Sequence, residues 1–373
     1  MKAWVCYLKT DPHDHSIFEA KVKELKELTR AAGYTVVGQT IQLRFRPDSR
    51  YLLGRGKITE LRDQMEKSGA DVAVFYEVLT SIQKHNIITT LAKEILDRYD
   101  LTLRIFEMAS SDRLSKLQIR LASLEKAIPY EKLKASLIFR RGREHPGPKS
   151  MGEYAYHNTV ANLYKMRSSV KAEIEIRRSE KLAQLRKRKR LNLPTVCLAG
   201  YYNAGKTSLF NALTGLKREV RSTPFTTLAS KYYRTGDPSA PVLLVDTIGF
   251  AMDLDPRLIA SFSLTLDDIR FADIVLLVID ISDEPVLMQL RIDTCLKELK
   301  SLGVTEQQLL IAANKTDRIS PAHVEERVAM LKEKAGGCPI VLTSVKESRG
   351  IRLLAEEIAK RAVNVIPKTL AAA

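Results

Sequence analysis

Short apolar runs alternate with amphipathic stretches through the first third of the chain. Strands are predicted over residues 3–8, 35–43, 72–76 and 101–105, and helices over 17–32, 58–68 and 82–97 between them. This alternation predicts an α/β layer with a mostly parallel sheet over residues 1–110. From Ser111 the pattern lengthens. Leu114, Leu117, Ile119, Leu121 and Leu124 recur at helical spacing, Pro129 is expected to end that helix, and a Gly/Pro break follows at His145, Pro146, Gly147 and Pro148. A second long helix is predicted from about residue 153 to 190, so residues 111–192 read as a helical linker. After Pro194 the strand–loop–helix order returns, with strands expected at 196–199, 242–245, 274–279 and 309–313. This gives a third domain over 193–366 and a tail over 367–373.

Composition narrows the class. With 45% hydrophobic and 28% charged residues, the 373-residue chain has ordinary globular usage, which excludes wholesale disorder. The net charge of +16 is concentrated: residues 1–193 carry +15 and residues 194–373 only +1. Residues 132–190 alone hold 17 basic against 5 acidic side chains, which points to a polyanionic partner for that half. The four cysteines, Cys6, Cys197, Cys295 and Cys338, are far apart, which argues for free thiols in a reducing cytoplasm rather than a disulfide framework or zinc site. No apolar stretch approaches the ~20 residues that cross a bilayer, so no membrane partner is expected.

Three motifs carry chemistry. Gly200-Tyr201-Tyr202-Asn203-Ala204-Gly205-Lys206-Thr207-Ser208 follows an apolar run and opens a helical pattern, as a phosphate-binding loop does. Glycines let backbone N–H groups converge on phosphate oxygens, Lys206 neutralises the β- and γ-charge, and Thr207 offers a hydroxyl to Mg²⁺. Asp246-Thr247-Ile248-Gly249 ends the run VLLV: the aspartate there holds Mg²⁺ through a water, and the Gly249 N–H approaches the γ-phosphate. Asn314-Lys315-Thr316-Asp317 follows LLIAA. Its carboxylate accepts from guanine N1–H and N2–H₂, which adenine cannot offer, so GTP is selected over ATP. Ser344, Val345 and Lys346 close the other side of the base. Between the first two motifs, Thr227, with Thr226 as the alternative, is the threonine expected to reach Mg²⁺ and the γ-phosphate. Gly54-Arg55-Gly56-Lys57 fits a turn and helix start, with a small anion nest as the other reading.

The residues just quoted, with YLLGRGKITEL near 51, DVAVFYEVLTSIQ near 71, DRYDLTLRIFEMASSDRLSKLQIRLASLEKAIP at 97–129 and the long run through DTIGFAMDLDPRLIASFSLTLDDIRFADIVLLVIDISDEP, resemble the HflX family of ribosome-associated GTPases. The resemblance implies an N-terminal α/β domain, a long antiparallel helical linker and a Ras-like GTPase domain. It also implies a monomer that hydrolyses GTP to GDP and associates with the large ribosomal subunit. The polyanion is then ribosomal RNA, with Arg140, Arg141, Arg143, Arg186, Lys187, Arg188, Lys189 and Arg190 as contact candidates. Phe250 stands where Ras-like proteins carry the water-orienting glutamine, so slow intrinsic hydrolysis with ribosomal stimulation is expected. Asn203 leaves two readings open: a K⁺ ligand beside the phosphates, or a side chain bonded to its own loop. The bacterial joint near GPGE reads HPGPKSMGE here, which leaves that loop's geometry open. The alternative function is a regulatory switch whose GTP form binds a protein effector.

Overall fold

The computed structural model describes residues 1–110, 112–142, 151–190, 193–217, 224–225, 230–235 and 241–365. In chain order the first elements are β1 (Lys2–Lys9), α1 (His15–Ala31), β2 (Thr35–Leu43), α2 (Arg55–Ser68), β3 (Val72–Phe75), α3 (Ser81–Leu91), β4 (Glu94–Asp97), α4 (Arg98–Ala109), α5 (Arg113–Gly142) and α6 (Met151–Arg190). There follow β5 (Thr195–Gly200), α7 (Lys206–Thr214), β6 (Lys231–Arg234), β7 (Leu243–Asp246), α8 (Pro256–Ser261), α9 (Ser263–Arg270), β8 (Ile274–Asp280), α10 (Pro285–Ser301), β9 (Leu309–Asn314), α11 (Pro321–Ala335), β10 (Ile340–Leu342) and α12 (Ile351–Val365). They form two compact units. The first holds Met1–Met108, Arg113–Ile176 and Asp255–Ser261; the second holds Ala109–Asp112, Arg177–Leu254 and Phe262–Ala373.

In the first unit a four-stranded parallel sheet has the order β2-β1-β3-β4. Its central strands are buried on both faces, which is why they read as continuous apolar runs. Two expectations fail here. The helix over 82–97 stops at Leu91, because Ala92 turns left-handed (φ 50°), and residues 94–97 instead pair with β3. The strand over 101–105 is part of helix α4, whose Tyr99, Leu101, Thr102, Leu103, Ile105 and Phe106 are all buried. A helix buried nearly all round loses the polar face that marks its period.

Pro129 does not end α5 but lies inside it. Its missing N–H forfeits one helical bond, and packing on either side carries the helix through. Ile128 is buried, and Lys126 pairs with Asp97 and Asp100. Helices α5 and α6 run antiparallel: Arg113 meets Glu173 (2.6 Å), Glu125 meets Lys171 (2.8 Å), and Lys132 lies 4.9 Å over the Tyr164 ring. Leu117, Leu121, Leu124 and Val170 form the seam between them. The break at 145–148 lies outside the described residues.

The second unit is a six-stranded sheet in the order β10-β9-β8-β5-β7-β6, parallel except where β6 pairs antiparallel with β7. Its core gathers Val196, Leu198, Leu209, Phe210, Leu276, Val278, Leu310 and Leu354. Strand β6, KYYR, has no apolar alternation and gives no sequence signal. Among the described residues all four cysteines are free and buried, and no helix is long and apolar enough to cross a membrane.

Candidate nucleotide site

Strand β5 lies between β8 and β7, buried along its whole length, and delivers the glycine-rich loop at the carboxyl edge of the sheet. Gly200 has φ 142°, and a Cβ there would lie 2.3 Å from the Val278 carbonyl oxygen. Gly205, with φ 99°, leaves the same kind of gap for the Asn314 amide, 2.4 Å from where its Cβ would be. No side chain fits either position. The turn launches α7, whose first residues are Lys206, Thr207 and Ser208.

Lys206 is buried, and its Nζ donates to the carbonyls of Gly200 (3.1 Å) and Tyr201 (2.8 Å). Burial pulls its pKa down to about 8, against the opposing pull of Asp246. The Thr207 hydroxyl donates to the Asp246 carboxylate (3.0 Å) at the end of β7. Gly249 presses against the loop: a Cβ there would lie 2.8 Å from Lys206 Nζ and 2.9 Å from Tyr202 Cα. The loop and this segment are stitched together. Phe250 N–H donates to the Gly200 carbonyl (3.0 Å), Tyr202 N–H to the Phe250 carbonyl (2.8 Å), and Met252 N–H to the Tyr201 hydroxyl (2.9 Å).

The third motif reaches the same loop from β9. Asn314 Nδ2 donates to the Ala204 carbonyl (3.0 Å), and Lys315 Nζ donates to the Asn203 carbonyl (2.8 Å) and to Asp280 (2.5 Å). Asp317 accepts from the Ser344 hydroxyl (2.6 Å), which holds its carboxyl below the ordinary pKa and keeps it ionised. Val345 and Lys346 continue that loop, with Val345 packed on the core and Lys346 exposed. The three motifs therefore converge on one edge. Thr226 and Thr227 lie outside the described residues. Phe225, which precedes them, is buried and stands 5.7 Å from the Tyr202 ring.

Sequence reasoning missed the supports behind the loop. The Arg291 guanidinium lies 4.7 Å over the Tyr201 ring and 5.7 Å from that of Tyr202, and pairs with Asp283 (2.6 Å). The two tyrosine rings are 4.8 Å apart. Asp280 and Asp283 share the short turn DISD after β8, the one available sign that charged partners follow that strand. A cavity of about 510 Å³ lies elsewhere, in the first unit, lined in part by Thr80, Lys84, Asp100, Lys126, Asp255 and Arg257. Lys84 and Lys126 already pair with Asp100, and Arg257 with Asp255, so its cations are committed and it carries no phosphate chemistry.

Of the RNA-contact candidates, Arg140 and Arg141 lie on α5 and Arg188, Lys189 and Arg190 on α6. Arg186 and Lys187 are exposed on α6, and Arg143 lies outside the described residues.

Comparison with known proteins agrees with this geometry. Residues 195–315 match the family described as 50S ribosome-binding GTPase, and residues 19–107 the one described as GTP-binding GTPase N-terminal. GTPase HflX of Thermofilum pendens is 36% identical over 352 residues, covering 94% of this chain and 82% of that protein. GTPase HflX of Thermococcus kodakarensis is 35% identical over 312 residues, covering 84% and 70%. The crystal structure of the SsGBP and GDP complex is similar over 98% of this chain and 99% of that one, with a TM-score of 0.53 and 25% identity. The chain is thus a GTP-binding, GTP-hydrolysing protein, and it belongs to the HflX family of GTPases.

Proposed function

We propose that this GTPase acts on the large ribosomal subunit, held to ribosomal RNA by its basic helices, with slow GTP hydrolysis that the subunit accelerates. The observation that carries this reading is the joining, in one chain, of a guanine-nucleotide site to residues 132–190, where 17 cations face 5 anions. Phosphate contacts from Arg186 and Lys187 and their neighbours on α5 and α6 give sequence-independent, salt-sensitive attachment.

Within the site, Lys206 and the loop amides from Tyr201 to Ser208 take the phosphates, Asp317 reads guanine, and the Gly249 N–H reaches the γ-phosphate. The donor set suits Mg²⁺: Thr207 and Asp246 present hard oxygens 3.0 Å apart, with Thr227 or Thr226 as the further hydroxyl. The ion would neutralise charge developing between the β- and γ-phosphates. Asn203 is exposed with φ 60°, and among the described residues its side chain makes no hydrogen bond, which favours the reading in which it is open to K⁺. Equal hydrolysis rates in K⁺ and Na⁺ at one ionic strength would remove that role. Phe250 is buried and carries no polar side-chain atom to orient water.

The test is co-sedimentation with purified large subunits in a non-hydrolysable GTP analogue, with turnover measured alongside. The expected result is nucleotide-dependent binding that weakens steeply with salt and raises turnover. Binding to no ribosomal particle, with a cytosolic protein captured instead, would favour the effector-switch reading. Asp317→Ala should abolish the preference for guanine over adenine nucleotides; its persistence would refute the base assignment.

A further inference from the structure

We propose that the turn joining β2 to α2 is a single-stranded RNA contact, in which Phe45 stacks on an unpaired base and the arginines around it take the adjoining phosphates. This rests on the ribosomal reading above and adds a place and a chemistry to it.

Phe45 is 78% exposed, the most exposed large apolar side chain among the described residues. It continues a row: Ile41 (39%) and Leu43 (54%) precede it at alternate positions of β2, the edge strand of its sheet. Three apolar side chains at period two on one open face cost solvation and contribute nothing to the core.

The turn is rigid. Asp48 Oδ1 accepts from the N–H groups of Arg50 (2.8 Å) and Tyr51 (3.0 Å), and the backbone of Asp48 pairs both ways with Leu52. Gln83 Nε2 donates to the Asp48 carbonyl (2.7 Å), Asn86 Nδ2 to the Arg50 carbonyl (3.0 Å), and Gly54 N–H to Gln42 Oε1 (2.8 Å). Phe45 is thus displayed on an ordered scaffold, so a partner need not order the loop on binding.

The charge around it selects the partner. Residues 44–57 carry Arg44, Arg46, Arg50, Arg55 and Lys57 against the single acid Asp48. Arg44 pairs with Asp48 (3.5 Å) and Lys57 with Glu60 (2.8 Å), whereas Arg46, Arg50 and Arg55 are exposed and have no ion-pair partner among the described residues. An aromatic ring amid uncommitted guanidinium groups is the arrangement that stacks bases and binds phosphates without reading sequence.

The experiment measures the affinity of full-length protein, loaded with a non-hydrolysable GTP analogue, for purified large subunits over a range of KCl. In parallel it measures affinity for a labelled single-stranded RNA of about 12 nucleotides. Phe45→Ala is expected to weaken both by roughly tenfold at an unchanged salt slope, and Phe45→Trp to retain both. Arg46→Gln combined with Arg50→Gln should flatten the salt slope by about one unit. Basal GTP turnover should not move in any variant. Wild-type affinity for both probes in Phe45→Ala overturns the proposal. So does a loss confined to subunits and absent on naked RNA, which would assign the patch to a ribosomal protein. If the wild type fails to bind subunits, the ribosomal reading falls, while the RNA arm still decides the patch.

Discussion

Replacing Tyr201 with phenylalanine removes one oxygen and leaves the ring where it is, between Arg291 and Tyr202. That oxygen accepts the Met252 N–H at 2.9 Å, and Met252 is buried. Losing the acceptor of a buried amide costs about 1–3 kcal/mol. For a unit of this size that lowers its melting temperature by about 3–8 °C. The consequence for turnover follows from Phe250. With no glutamine at that position, the attacking water depends on the placement of the 249–252 backbone itself. A misplacement worth about 1 kcal/mol slows the chemical step roughly fivefold. Three measurements on Tyr201→Phe check this: thermal unfolding, hydrogen exchange of the peptide containing Met252, and single-turnover GTP hydrolysis. GDP affinity should be unchanged, because the loop amides and Lys206 are untouched. An unaltered melting temperature together with unaltered exchange at Met252 would refute the reasoning, whatever the rate does.

Two further outcomes follow from single contacts. The pKa of Lys206 falls from 10.5 to about 8 through burial, so between those values the folded, nucleotide-free protein binds fewer protons than the unfolded chain. The burden of its buried charge is therefore present below pH 8 and lifts as pH rises through that window. A bound triphosphate restores the charged form, so titration at about pH 9 in buffers of differing ionisation enthalpy should show uptake of close to one proton, and none would contradict the assignment. Gly38→Ala would set a Cβ 2.2 Å from the Trp4 ring, which donates its Nε1–H to Thr40 (2.8 Å). Overpacking of this kind costs about 1–3 kcal/mol. Trp4 is the only tryptophan, so its fluorescence should report an earlier transition of the first unit while GDP affinity holds; an unshifted transition would show that the ring has room to move.

How far the sequence could be read depended on where each signal resides. The nucleotide motifs were legible because their residues are fixed by local geometry. Gly200 and Gly205 have no room for a side chain, and Asp246 and Asn314 end strands whose interiors are continuous apolar runs. Strand β8, seven buried residues long, could be read for the same reason. The missed elements have their cause elsewhere in the chain. Ala92 ends α3 in a left-handed conformation for which alanine gives no sign, and α4 hides its period by being buried on most sides. Pro129 reads as a stop, and only the ion pairs of Lys126 with Asp97 and Asp100 show why the helix continues. The hold of Tyr201 on Met252 and of Arg291 on both tyrosines joins residues 51 to 90 positions apart, beyond the reach of any local pattern.

Those same long-range contacts bear on why turnover should depend on a partner. Hydrolysis needs something to orient water and to offset the charge that develops on the γ-phosphate. In the second unit the nearby cations are already engaged: Arg291 with Asp283, and Lys315 with Asp280 and the Asn203 carbonyl. The Phe250 amide and carbonyl are tied to the phosphate loop. Freeing Arg291 would leave the carboxylate of Asp283 without its partner in a half-buried position, a cost that works against its use as an arginine finger. Within the described residues this leaves Lys206 as the cation at the phosphates. The site is therefore built to hold guanine nucleotide firmly and to turn it over poorly by itself. A second positive charge or a fixed hydrogen-bond acceptor has to arrive with an ion or a docked surface. Such a requirement ties GTP consumption to the place where the basic half of the chain is bound.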